Sequence, residues 1–121
     1  MDTFAETLAW VPTVDRRASG LPDVLRIGSS VVHCGTGRVE TPRGEKRLRA
    51  KELELIVHLY AHLTETFSRE RLLQVVWNYQ AALLTRTVDQ TVATLRKKIE
   101  TDPERPRFLQ TVYGVGYRLV A

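Results

Sequence analysis

The chain has 121 residues, 43% of them hydrophobic, which is enough for one folded domain and at most a tail. Its formal net charge of +4 suits a polyanionic partner. A single cysteine excludes an internal disulfide and argues against a zinc site, and no apolar run is long enough to cross a membrane.

Residues 1–24 have the composition of a tail or linker. Pro12 and Pro22 interrupt the segment, and its apolar residues show no sustained period. This segment carries a net charge of −2, whereas residues 25–121 carry +6, so the basic character belongs to the predicted domain, residues 25–121. The N-terminus lacks the basic start and long apolar stretch of a signal peptide, so we expect a bacterial-type cytoplasmic protein.

Residues 25–48 have the pattern of a small antiparallel sheet. Short runs of apolar and β-branched residues alternate with glycine or proline, as strands alternate with turns. The four runs are residues 25–27, 31–34, 38–41 and 46–48. Cys34 lies in the second run, where we expect it to be a small core residue rather than a redox group.

Two amphipathic helices are predicted next. The first covers about residues 50–63, with apolar residues at helical spacing: Leu53, Ile56, Val57, Tyr60 and Leu63. The second begins after Ser68, a good N-cap residue, and has Glu70 in its first turn. Its inward side chains are Leu72, Leu73, Val76 and Trp77.

A third helix and a hairpin complete the predicted domain. The helix covers about residues 85–100, with a narrow apolar seam and an opposite face that is polar and partly basic. Residues 108–112 and 117–120 are expected to pair across a Gly-x-Gly turn. Winged-helix domains bind DNA with such a pair, the helix in the major groove and the hairpin on the neighbouring backbone or minor groove.

Five motifs occur in order along this part of the chain: Ser68-Arg69-Glu70-x-Leu72-Leu73-x-x-Val76-Trp77, Arg86-Thr87-Val88-Asp89, Leu95-Arg96-Lys97-Lys98, Asp102-Pro103 and Gln110-Thr111-Val112-x-Gly114-x-Gly116-Tyr117. Their combination resembles the C-terminal effector domain of OmpR/PhoB-type response regulators. The resemblance implies an α+β winged helix-turn-helix with an N-terminal four-stranded antiparallel sheet, three helices and a C-terminal β-hairpin wing. It also implies DNA binding and transcription regulation within a two-component phosphorelay.

The outer face of the third helix supplies most of the predicted DNA contacts. Gln90 can read adenine with two hydrogen bonds, and a threonine can meet a base edge or a thymine methyl group. The threonines on or beside this face are Thr87, Thr91 and Thr94. The cations Arg86, Lys97 and Lys98 are assigned to phosphates. Relatives often carry longer side chains where this chain has Ala93 and Thr94, which predicts lower or different specificity.

In the wing, the resemblance assigns Thr111 to a phosphate and Tyr113 to the minor groove or backbone. Arg118 is either a further contact or a solvated strand residue. Arg96 lies nearer the core side of its helix, where a salt bridge with Asp89 or Glu100 is an alternative to a DNA contact.

The loop between the second and third helices, residues 78–84, is where members of the family can engage RNA polymerase. Tyr79, Gln80 and Leu83 are the candidate contacts, and burial of the apolar side chains is the alternative. A second hypothesis follows from this loop and from the short Ala93 and Thr94. It is a protein-interaction module on a winged-helix fold, binding RNA polymerase or a regulator, with weak or no specific DNA binding.

No pattern in the sequence argues for an enzyme, a cofactor or a metal. His58 and His62 have a metal-compatible spacing, but no third ligand is evident, and we expect a solvent-facing pair. The expected partner is double-stranded DNA, bound by two copies head-to-tail on direct repeats as in relatives, in the nucleoid of a bacterium. No phosphate-accepting receiver fits in residues 1–24, so this is either the effector part of a longer protein or a free-standing winged helix.

Overall fold

A computed structural model describes residues 23–78 and 85–121. The predicted tail therefore lies outside the described residues, apart from its last two positions. The predicted polymerase-contact residues Tyr79, Gln80 and Leu83 lie outside them as well.

Four short antiparallel strands form a sheet in chain order. They are β1 (Val24–Ile27), β2 (Ser30–His33), β3 (Arg38–Thr41) and β4 (Gly44–Arg47). Two-residue turns close the first and last hairpins, because Ile27 pairs with Ser30 and Thr41 pairs with Gly44. One face of the sheet lies on the core, where Cys34 is fully buried as predicted.

Three helices follow within the described part of the chain: α1 (Ala50–Ala61), α2 (Arg69–Trp77) and α3 (Arg86–Ile99). The Ser68 hydroxyl accepts a 3.0 Å hydrogen bond from the Arg71 backbone N–H, which confirms the predicted N-cap of α2. The prediction that the apolar stripe of α1 extends to Leu63 was wrong. The helix stops at Ala61, so Leu63 lies beyond it and is 39% exposed.

A second sheet has the strand order β5–β7–β6: β5 (Phe67–Ser68), β6 (Leu109–Val112) and β7 (Gly116–Leu119). Strands β6 and β7 form the predicted wing, and the two-residue β5 was not predicted. A Cβ atom at Gly116 would lie 2.0 Å from the Phe67 carbonyl oxygen. Only glycine therefore lets β7 approach β5, which fixes the wing to the helical core.

Two buried carboxylates join segments of the chain whose contact was not predicted from the sequence. Glu52 in α1 accepts hydrogen bonds from the Arg49 backbone N–H, at 2.9 Å, and from the Lys98 ammonium, at 2.7 Å. Glu100, just after α3, accepts three backbone N–H bonds from the chain that leads into β6; the donors are Arg107, Phe108 and Leu109. The first carboxylate joins α1 to α3, and the second sets where the wing begins.

Candidate nucleic-acid interface

The exposed face of α3 is a single stripe opposite its core seam. Arg86, Gln90, Ala93 and Lys97 are exposed at intervals of three or four residues. The seam on the other side is at most 2% exposed and consists of Val88, Val92, Leu95 and Ile99. Fourteen residues make a rod about 21 Å long. Its polar side is left open to solvent by the described residues, as a groove-binding helix requires.

The three predicted threonines flank this stripe and are partly buried. The Thr91 hydroxyl donates to the Thr87 carbonyl at 2.9 Å, and the Thr94 hydroxyl donates to the Gln90 carbonyl at 3.0 Å. Both hydroxyl hydrogens are thus used within the helix. The outward part of Thr94 is a methyl group and an oxygen that can only accept.

Neighbouring lysines at the end of α3 have opposite surroundings. Lys97 is exposed, and its ammonium forms no ion pair or hydrogen bond within the described residues. The Lys98 ammonium lies 2.7 Å from the Glu52 carboxylate and 3.0 Å from the Arg47 carbonyl oxygen, in a side chain that is only 19% exposed. The predicted phosphate contact therefore suits Lys97, whereas Lys98 points towards α1 and β4.

Arg96 connects α3 to the wing. Its Nε donates to the Leu109 carbonyl at 2.9 Å, its Nη2 donates to the Thr111 hydroxyl at 2.8 Å, and its guanidinium lies 5.6 Å from the centre of the Tyr117 ring. Neither predicted salt bridge, with Asp89 or with Glu100, is formed, because the neighbouring strand offers two oxygen acceptors instead. Thr111 is thereby held at the edge of the helix.

Asp89 forms the second connection between α3 and the wing. Its Oδ1 accepts a 2.7 Å hydrogen bond from the Tyr117 hydroxyl and lies 3.3 Å from Arg69 Nε. The sequence did not indicate this partner from α2, although Arg69 lies in the first of the five motifs. Burial, and then the hydrogen bond and negative charge of Asp89, raise the pKa of Tyr117 to about 12.

The tip of the wing projects into solvent and is uncharged from Thr111 to Gly116. Tyr113 is 90% exposed and Val115 is 53% exposed. Gly114 adopts a positive φ of +79° within the turn, which glycine allows without strain. Arg118 donates to the Gln110 side chain at 2.9 Å, so it follows the strand pair rather than extending towards the tip.

Of the two histidines predicted to face solvent, His62, just beyond α1, is exposed, whereas His58 within α1 is partly buried. The rings of His58 and His62 lie 5.0 Å apart, and His58 also packs edge-on against Phe67. Its Nε2 is buried with no hydrogen-bond partner among the described residues. Burial, and then the nearby charges of His62 and Arg71, lower the pKa of His58 despite an opposing effect of Glu65.

Within the described residues, no group of three or more histidine, cysteine, aspartate or glutamate side chains could hold a metal ion. No helix in residues 23–78 and 85–121 has the length and apolar character that a membrane span needs.

Known proteins share this architecture. The solved response regulator DrrB, an OmpR/PhoB homologue from Thermotoga maritima, is 27% identical with a TM-score of 0.75, over 88% of this chain and 48% of DrrB. This chain thus spans about half of DrrB. The DNA-binding domain of CadC from Escherichia coli is 26% identical with a TM-score of 0.69, over 82% of this chain and 92% of that domain.

A third solved structure contains nucleic acid. The response regulator AdeR has its DNA-binding domain in complex with an intercistronic region; it is 27% identical with a TM-score of 0.62, over 82% of this chain and 98% of that one. The family model described as "Transcriptional regulatory protein, C terminal" matches residues 43–119, which is more than half of the chain. The predicted resemblance is confirmed: the chain belongs to the family of C-terminal domains of transcriptional regulatory proteins, of the OmpR/PhoB type.

Proposed function

We propose that this chain is a sequence-specific DNA-binding effector domain of a response regulator and controls transcription. Helix α3 enters the major groove, and the wing lies on the adjacent backbone or minor groove. One observation carries the proposal: the open polar stripe of α3 lies beside a wing that is fixed to it. The bonds Tyr117–Asp89 and Arg96–Thr111 set that arrangement before any DNA is bound.

The exposed side chains divide into two roles. Gln90 lies at the middle of the stripe, where its amide can pair with an adenine edge. Arg86 and Lys97 lie towards its two ends and contact phosphates, which fix the position of the helix along the duplex. Thr87 and Thr91 lie beside the stripe and border the surface that faces the bases. In the wing, Thr111 contacts a phosphate and Tyr113 packs on sugars or in the minor groove.

The wider setting follows from the proposed role in transcription. AdeR is solved on an intercistronic region, and we propose that this chain likewise binds double-stranded DNA, as two copies on direct repeats. It acts in the bacterial cytoplasm, where the DNA is. We also propose contact with RNA polymerase through residues 79–84. This contact rests on the family resemblance alone.

Selection of bound duplexes from a random pool, at two salt concentrations, tests the function. We expect one enriched sequence, bound more weakly at high salt because phosphate contacts release counterions. In follow-up measurements, Gln90→Ala changes the preferred sequence, whereas Lys97→Ala weakens binding to all duplexes. Arg26→Ala is the matched control, because it removes an exposed positive charge from β1 without changing α3.

The opposite result would be an unenriched pool and no retarded duplex at either salt concentration. That result would overturn the proposal and favour a protein-interaction module on the same fold.

A further inference from the structure

Two of the three basic side chains in the last turn of α3 are engaged by other parts of the protein. Lys98 is bound to Glu52, and Arg96 is bound to Leu109 and Thr111. Among the described residues of α3, the cations left on the exposed stripe are Arg86 and Lys97. They are eleven positions apart, or about 16 Å along the axis, so the base pairs between them face neutral side chains.

Those neutral side chains offer few hydrogen-bond donors. The outward residues in the middle are Gln90, Ala93 and Thr94. Ala93 offers a methyl group alone. The Thr94 hydroxyl hydrogen is engaged with the Gln90 carbonyl, so this side chain presents a methyl group and an acceptor. The only donor left in the middle of the stripe, within the described residues, is the Gln90 amide.

Base edges in the major groove respond differently to such a surface. Guanine exposes two acceptors, N7 and O6, and needs a donor, usually arginine or lysine, to be recognised. Thymine exposes a C5-methyl group, which packs well against apolar side chains. Adenine exposes a donor and an acceptor, which match the two ends of one glutamine amide.

We propose that the centre of α3 selects A·T base pairs, with the methyl groups of Ala93 and Thr94 packed on thymine C5-methyl groups and Gln90 paired with adenine. The centre of the stripe has no arginine or lysine that could recognise guanine, because Arg86 and Lys97 lie towards its ends and contact phosphates. The inference rests on the proposed function, since it specifies the DNA that this stripe binds. The proposed methyl contact makes Ala93 a specificity-determining residue, although a side chain this short would ordinarily be expected to add little specificity.

Replacing thymine by uracil tests the methyl contact directly, because uracil keeps base pairing and lacks only the C5-methyl group. In the selected duplex, each central thymine is replaced in turn and the dissociation constant is measured. We expect binding about threefold to fourfold weaker per contacted methyl group, the effect of exposing one buried methylene-sized group. Uracil outside the half-site leaves binding unchanged and serves as the control.

Protein variants identify which side chain packs on the methyl group. In Ala93→Ser, the helix is kept and the penalty for uracil disappears. The matched variant Ala61→Ser makes the same change at an exposed position near the end of α1 and keeps the penalty. Thr94→Val, which keeps the methyl group and loses the hydroxyl, binds the selected duplex within about twofold of the unchanged protein, because that hydroxyl serves the helix.

The possible outcomes separate this inference from the proposed function. An enriched site whose central pairs are G·C, or equal binding to thymine and uracil, would overturn the inference and leave DNA binding intact. An unenriched pool would overturn both. A central A·T step with a uracil penalty that Ala93→Ser abolishes would support it.

Discussion

The Tyr117 hydroxyl donates a 2.7 Å hydrogen bond to Asp89 Oδ1, and this bond joins the second strand of the wing to the first turn of α3. Arg69 at the start of α2 pairs with the same carboxylate oxygen at 3.3 Å. One carboxylate therefore holds together α2, α3 and the wing. The angle between recognition helix and wing is set largely by this contact and by Arg96.

Tyr117→Phe removes the hydroxyl and keeps the buried ring. We expect the free energy of unfolding to fall by about 2 kcal/mol, because a partly buried hydrogen bond to a charged group is lost. Denaturant titration followed by circular dichroism measures the change. Tyr113→Phe is the matched control, since Tyr113 is 90% exposed and its loss of a hydroxyl leaves stability unchanged. Equal unfolding midpoints for the two variants would contradict this role of Tyr117.

The same bond makes stability depend on alkaline pH. The folded-state pKa of Tyr117 is about 12, above the ordinary value of 10.0. A group whose pKa is higher in the folded state stabilises the fold fully at pH values below its unfolded-state pKa. That stabilisation is lost as the pH rises through its folded-state pKa. The difference in unfolding free energy between the unchanged protein and Tyr117→Phe should therefore be constant up to about pH 10 and shrink between pH 10 and 12. A difference that stays constant to pH 12 would exclude this linkage.

Sequence periodicity predicted the three helices because each of them has a regular apolar pattern, and the family resemblance supplied the fold. The apolar seam of α3 and the N-cap Ser68 were both predicted, and the structure has both. Strand β5 escaped prediction because two residues cannot show a period. It exists because Gly116 lets the wing come close to Phe67, which pairs with Tyr117, 50 positions later in the chain.

The candidate interface was less predictable, because it too depends on contacts between residues far apart in the sequence. Lys97 and Lys98 are adjacent and identical in the sequence, and both lie near the polar side of the helical wheel. What separates them is Glu52, a carboxylate 46 residues earlier that is buried at the start of α1. Long basic side chains can turn in either direction, so only the position of their acceptors decides which of them faces solvent.

His58 should make the protein less stable in mild acid. Its pKa is lowered, which favours the neutral imidazole in the fold, and protonation would place a charge where Nε2 has no acceptor among the described residues. The stability that neutral His58 contributes is complete above its ordinary pKa of 6.5 and is lost as the pH falls below that value. We expect the unfolding free energy of His58→Leu to fall less than that of the unchanged protein between pH 7 and pH 5. Parallel curves from denaturant titrations at each pH would contradict the assignment.

Glu100 should be required for the position of the wing. Glu100→Gln keeps the size of the side chain, but its NH₂ group would face backbone N–H donors that the carboxylate now accepts. We expect a loss of at least about 2 kcal/mol in unfolding free energy, since bonds to a buried charged group are broken. Hydrogen exchange at Phe108 and Leu109 should also become faster. Glu104→Gln, at an exposed position in the same loop, is the control and should alter neither quantity.

Lys97→Met and Lys98→Met form a matched pair that separates binding from stability. Removing the Lys98 ammonium leaves the Glu52 carboxylate buried without its counter-charge, so we expect about 3 kcal/mol less unfolding free energy. Removing the Lys97 ammonium leaves stability unchanged and weakens binding to all duplexes. The slope of the logarithm of affinity against the logarithm of salt concentration should also decrease by about one unit. Denaturant titration and duplex binding at several salt concentrations measure both effects. If Lys98→Met were stable and lost the salt-dependent contact, Lys98 rather than Lys97 would face the phosphate.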